Sequence, residues 1–265
     1  MAGRLSWWAI RGPMSRGAYL ALAGAGFGTF LAAWWGLAAG GLVDPVFLPP
    51  PDAVARRAVR WAAQEDLLAD LKISVRRVLG GFALAAAMAV PLGVYIGSFR
   101  PVQAFFEPLM EFARYLPAVA FVPLVMLWVG IGEAAKVALI FIGTYFQMVL
   151  MVSDNVRQVP MAQIEAAQTL GATRGELLAL VVFKSALPGI LDTLRVTLGW
   201  AWTCLVVAEL VAANSGLGYA ILRAQRFLQT DKIFVGILLI GLLGLLMDQA
   251  LRLMHRRAFP WLHTR

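Results

Sequence analysis

Long stretches without charge constrain this chain more than anything else in it. No Asp, Glu, Lys or Arg lies between Arg16 and Asp44, Arg77 and Arg100, Arg114 and Glu133, Lys136 and Asp154, or Lys232 and Asp248. At about 1.5 Å per helical residue, roughly 20 apolar residues cross a ~30 Å hydrocarbon core. Only 14% of the 265 residues are charged and 60% are hydrophobic, whereas a soluble domain carries about 25% charged residues. The expected fold is all-α: a polytopic membrane protein of about six transmembrane helices. The net charge of +8 is scattered beside these runs, so basic membrane loops explain it better than nucleic-acid binding.

The spans read in order. Residues 17–43 form the first. A signal peptide is the rival reading, since Arg4, Arg11 and Arg16 precede it, but a signal core is ~7–15 residues, which favours an uncleaved anchor. Pro49-Pro50-Pro51 stops the helix, and a polar interfacial helix is expected over 53–70. The second span lies between Arg77 and Arg100, with Pro91 as a kink and Gly93 and Gly97 spaced for close helix approach. An amphipathic connector, 101–114, leads to a third span between Arg114 and Glu133, and a fourth runs from Val137 to about Ser153. The fifth, begun at Leu187, carries Asp192 and Arg195 three residues apart, able to pair, and Glu209 near its opposite end. Residues 214–232 make a loop before the sixth span, Ile233 to about Met254. Loop charge divides almost evenly between the two sides. The basic ends, with Arg252, Arg256 and Arg257 after Asp248, favour both termini in the cytoplasm. The organisation expected is a tail (1–17), a permease-like core (18–254) with a polar loop at 154–184, and a second tail (255–265).

That polar loop is the informative interruption. Pro160 can begin a short helix. Ala166 and Ala167 are small enough for a partner to approach the backbone. Glu165, near the helix start, suits the helix dipole. Gly171 permits a turn of positive φ. Thr173 and Glu176 have the spacing of a capping box. Helix–glycine–helix would make a compact knob; these residues alone leave an ordinary amphipathic connector equally open.

Several segments in order carry a resemblance: Leu48 to Pro51, Ser74 to Phe82, Pro123 to Lys136, Glu165 to Gly171 (Glu-Ala-Ala-Gln-Thr-Leu-Gly), Leu187-Pro188, Ala208 to Tyr219, and Phe227 to Asp231. The chain resembles the permease subunit of bacterial ABC importers of the taurine, aliphatic sulfonate and nitrate type, from about Leu48 to Trp261. It departs where the family's Ile-x-Leu-Pro falls, reading Val181-Val-Phe-Lys184. The resemblance implies a type I importer fold in the bacterial inner membrane. Glu165, Ala166, Ala167, Leu170 and Gly171 would couple to an ATPase. The implied partners are two ABC ATPase subunits, a second copy of the permease, and a periplasmic or lipid-anchored solute-binding protein. ATP and Mg would sit on the ATPase, with no cofactor on this chain. The implied cargo is a small organic anion.

Candidate pathway residues are Tyr145, Gln147, Trp200, Trp202 and Thr203, for which packing or interfacial anchoring is the plainer reading. Asp192, Arg195 and Glu209 are intramembrane polar groups with structural pairing as their plainer role. No phosphate-binding loop precedes Lys184-Ser185, so ATP hydrolysis is assigned to a partner. His255 and His263 read as exposed tail histidines, not metal ligands. Cys204 stands alone, and no hydrolase motif is present. The rival classes are an autonomous secondary transporter or channel, which needs central ion-coupling residues, and an intramembrane enzyme.

Overall fold

The computed structural model describes residue 12 and residues 14–41 and 43–262; His263 and nearly all of the first tail lie outside them. Regular structure among the described residues is entirely helical. In lipid a helix satisfies every backbone polar group internally, which water cannot do there. Five helices are long and apolar enough to cross a membrane, and a sixth crossing is counted if one bent pair serves as a span.

The bent pair corrects the expected third span. Residues 115–132 do not form one helix. Helix α4 (Arg100–Arg114) is joined through a tight turn at Ala118–Phe121 to α5 (Val122–Val129), and the two arms meet at 90°. The eight residues of α5 rise only about 12 Å, too little to cross alone, so a third crossing here would need α4 as well. Pro117 causes the break: it lacks an N–H and pushes Leu116 away from helical backbone.

Other boundaries also shift. The expected polar helix splits, giving α2 (Pro51–Gln64) and then α3 (Leu67–Ser98), so Lys72, Arg76 and Arg77 belong to the second span. The fourth span is α6 (Glu133–Arg157). The fifth begins well before Leu187: a short α8 (Arg174–Glu176) passes through a π-helical turn (Leu177–Val182) into α9 (Phe183–Ala212). The expected loop at 214–232 contains an amphipathic helix, α10 (Leu217–Arg226), and α11 (Thr230–Ala258) is the last span. Helix α11 includes His255, which is buried at 7% exposure with its ring edge-on to Phe259, not exposed in a tail.

Packing sets the directions. Helices α3 and α6 run parallel. An added Cβ on Gly81 would strike Ile140 at 2.7 Å, one on Gly93 would strike Val152 at 2.7 Å, and one on Gly97 would strike Val156 at 2.6 Å. The missing side chains let the two backbones approach, with dispersion contacts replacing a hydrophobic drive that lipid cannot supply. Helix α9 runs the other way, Gly189 against Asn155 and Cys204 against Gly143. Helix α11 reverses again, with Gly244 beside Trp202. Helix α1 (Arg16–Ala39) is exposed over most of its length. It is held near its end by Trp34, which donates to the Pro49 carbonyl at 3.1 Å and stacks on Phe234 at 5.4 Å. The bundle therefore has two ends: one with Arg157, Asp192 and the 154–184 loop, and a far end with Glu65, Glu133, Ser215 and Lys232.

At the far end Glu65 bonds Arg57 at 2.8 Å and also Lys232, whose ammonium lies 4.5 Å from the ring centre of buried Trp61. The bond from Lys232 holds the Glu65 carboxyl below its ordinary pKa, despite partial burial. A depressed folded-state pKa means stabilisation that is complete above the unfolded carboxylate range and fades as pH falls through the depressed value. Two outcomes are expected. Gly97→Val should destabilise the purified protein by about 1–3 kcal/mol in thermal unfolding, while Gly28→Val, which meets nothing within 4 Å, should leave it unchanged. Glu65→Gln should lower stability at neutral pH and flatten its decline on acidification below about pH 4.5, measured by Trp fluorescence.

Candidate functional site

Three features lie along the bundle. The first is the knob. Helix α7 (Met161–Thr169) ends at Gly171, whose φ of +82° carries the chain round. The Gly171 N–H bonds the Gln168 carbonyl at 2.9 Å and the Ala172 N–H the Ala167 carbonyl at 3.0 Å. Thr173 then caps the next helix in a full capping box with Glu176. Ser185 donates to Gln163 at 2.8 Å, tying α7 to the root of α9. Ile164 and Leu178 pack on the cluster containing Val182 and Ala186. The outward side carries Glu165, Ala166 and Leu170, with Leu170 89% exposed, while Ala167 is half-buried. Glu165 falls in the middle of α7, not at its start, and no side chain caps that start. Its charge is therefore presented outward instead of serving the helix dipole.

The second feature is a cavity of about 400 Å³ at mid-depth. The α4–α5 break, the centre of α6 and the centre of α9 wall it. It brings together Gln147, Trp200 and Thr203, and adds Cys204 and Arg114. Tyr145 lies elsewhere. It stacks on Phe141 at 4.8 Å and packs against the α3–α6–α9 core. Trp202 is also turned away, 4% exposed and facing α11.

The third is a buried ion cluster at the far end. Arg77, 1% exposed, grips Glu133 with two nitrogens at 2.7 and 2.6 Å, and its third bonds Glu209 at 2.6 Å and the Ser215 carbonyl at 2.7 Å. Glu209, with no exposed surface, also accepts from Ser74 at 2.8 Å and the Gly218 N–H at 2.7 Å. Lys136 adds 2.9 Å to Glu133, and Asp70 accepts the Gly216 N–H at 2.8 Å. Gly216 has φ +105°, and a Cβ there would lie 2.3 Å from a Glu209 oxygen. Arg77 and Lys136 balance Glu133 and Glu209 in a network across α3, α6, α9 and the turn into α10, with Asp70 beside it on the Gly216 N–H. Sequence reasoning placed Glu209 but not its partners, because Arg77 and Glu133 bound charge-free runs and read as lipid-boundary markers.

Asp192 and Arg195 do pair, at 3.1 Å. The stronger tie is between helices: Arg195 makes two bonds to Asp248 of α11, at 3.0 and 3.2 Å. Arg157 similarly joins α6 to α4 through Glu107 at 2.6 Å.

A bundle of five membrane-length helices and one bent pair, with a knob protruding at one end and a cavity between the spans, is the architecture of a polytopic membrane protein. Residues 89–260 match the family of binding-protein-dependent transport system inner membrane components, and the chain belongs to that family. It is 35% identical to the taurine transport system permease TauC of Escherichia coli (strain K12), covering 97% of this chain and 94% of that one. It is 32% identical to a putative aliphatic sulfonates transport permease, SsuC, of Bacillus subtilis (strain 168), over 87% and 84% of the two chains. A chain of the inward-facing MetNI methionine ABC transporter superimposes with a TM-score of 0.58 at 21% identity, covering 70% of this chain and 95% of that one. The fold is that of type I ABC importer permeases, and the protein is a multi-pass inner-membrane transport subunit.

Removing one partner of a buried ion pair strands the other charge, so Arg77→Met should cost about 3–5 kcal/mol. The double variant Arg77→Met/Glu209→Met should recover part of that loss, read as a non-additive pair in thermal unfolding of the purified chain.

Proposed function

We propose that this chain forms the pathway of an ATP-driven importer for a small organic anion of the taurine or alkanesulfonate kind, or a related oxyanion such as nitrate. The exposed knob is the observation that carries the reading: Ala166 and, at the helix end, a nearly bare Leu170 stand outward, while the other side of the helix is anchored to the bundle. An exposed Leu170 beside Glu165 is a poor surface for water and a good one for a partner groove. The names of the sulfonate and taurine relatives support the substrate class.

In this reading the knob end and both chain ends face the cytoplasm, two copies of the chain line the path, and each knob seats on one ATPase. A solute-binding protein delivers the anion to the far end. ATP binding draws the ATPases together and moves the knobs. Because α7 is tied to α9 through Gln163–Ser185 and through packing at the π-helical turn, that motion is passed to the helix that walls the cavity. The far-end cluster holds α3, α6, α9 and the start of α10 as one body, so displacement at the knob tilts the body instead of bending it. Nucleotide shifts the inward- and outward-open populations only as far as it favours one over the other.

Leu170→Asp and Ala166→Trp should each weaken ATPase binding about tenfold or more, ~1.4 kcal/mol, in co-purification and in stimulated ATP hydrolysis, with the permease still folded. Anion flux through liposomes holding this chain without an ATPase would instead support a secondary transporter.

A further inference from the structure

We propose that Arg114 is the anion-binding group of the central cavity, holding the oxyanion head of the solute at the break between α4 and α5; this rests on the permease reading above. The cavity walls come from three elements, and Arg114 is the one formally charged residue among the described residues that line it. No lining residue is acidic. Arg114 donates to its neighbour Tyr115 at 3.0 Å, with its guanidinium 4.9 Å from that ring's centre. It makes no ion pair with a carboxylate among the described residues. Arg77, Lys136, Arg157 and Arg195 within the spans each have one; Lys72 and Arg76 of α3 have none among the described residues but do not line the cavity.

Depth makes that difference matter. Gly143 and Gln147 sit midway along α6, and Trp200 and Thr203, past the midpoint of α9, lie level with them, as the Cys204–Gly143 contact shows. A cation at the bilayer middle is costly unless it is paired or faces water, and such groups mark solute paths. Broken helices mark them too, because the freed backbone ends are tolerated only where they line a cavity. Here the break and the cation coincide. A guanidinium presents a planar fork that matches the oxygens of a sulfonate or carboxylate. Gln147 and Thr203 supply neutral polar groups, and the Trp200 ring an apolar wall. About 400 Å³ lies at the small end of ligand sites. One guanidinium per chain with no carboxylate beside it suits a small anion that must also leave.

Cys204, the one cysteine in the chain, lines the same cavity and reports on it without engineering. Its thiolate attacks a methanethiosulfonate reagent, forming a mixed disulfide and releasing methanesulfinate. With the purified full-length chain, the sulfonate-bearing reagent should label Cys204 faster than its trimethylammonium counterpart. The preference should fall on the order of tenfold in Arg114→Gln and survive largely in Arg114→Lys. Taurine should slow labelling of the parent protein and not of Arg114→Gln. Equal rates for both reagents, an unchanged preference in Arg114→Gln, or no labelling by either reagent would each overturn the assignment. In the assembled importer, Arg114→Gln should cut radiolabelled taurine or methanesulfonate uptake tenfold or more while nucleotide hydrolysis persists; normal uptake by that variant overturns the assignment as well. Failure of the unmodified chain to assemble with an ATPase is a separate result, which sinks the importer reading and leaves the labelling result to judge the anion site.

Discussion

Burying one guanidinium organises this molecule. Arg77 is almost wholly out of solvent, and its charge is tolerable only because Glu209 and Glu133 meet it at hydrogen-bond distance from two different helices. The second oxygen of Glu209 then needs a donor, and the Gly218 N–H supplies it, with the Ser74 hydroxyl in reach of both oxygens. Such a cluster adds little net stability, since desolvation offsets most of the attraction. It adds specificity of arrangement. A one-residue slide of α3 against α6 or α9 would leave buried charge unmatched, so the registers of three spans and the entry to α10 are set together.

The three features differ in how firmly they are held, and the difference suits their roles. Around the far-end cluster, interlocking polar contacts and glycine-mediated backbone packing leave little room for rearrangement. The knob has the opposite character: a short helix attached by one side-chain hydrogen bond and an apolar seam, with its outer side bare. Between them lies a cavity whose wall includes a broken span. The knob is joined through α9 to the wall of that cavity, and the far end is held by its own polar contacts.

Much of this was legible locally. Charge-free runs marked most of the spans, since lipid excludes charge wherever a helix crosses it. The glycine turn and the capping box at Gly171, Thr173 and Glu176 were readable because their hydrogen bonds join residues at most five positions apart. The third span was misread, because Pro117 divides residues 115–132 and leaves a helix too short to cross alone. His255 was misread because its burial depends on Phe259 and the root of α9 and not on the composition of its own segment.

Sequence alone thus determined what each segment prefers: lipid or water, helix or turn. Those preferences follow from side-chain chemistry and local spacing. Tertiary structure decided which charges are paired. Arg77 meets Glu209 across 132 residues and Arg195 meets Asp248 across 53, while Arg114 is left to the cavity. A charged residue at the edge of an apolar run looks the same whether it snorkels, locks a bundle or waits for an anion, and only the packing of distant helices around it separates the three.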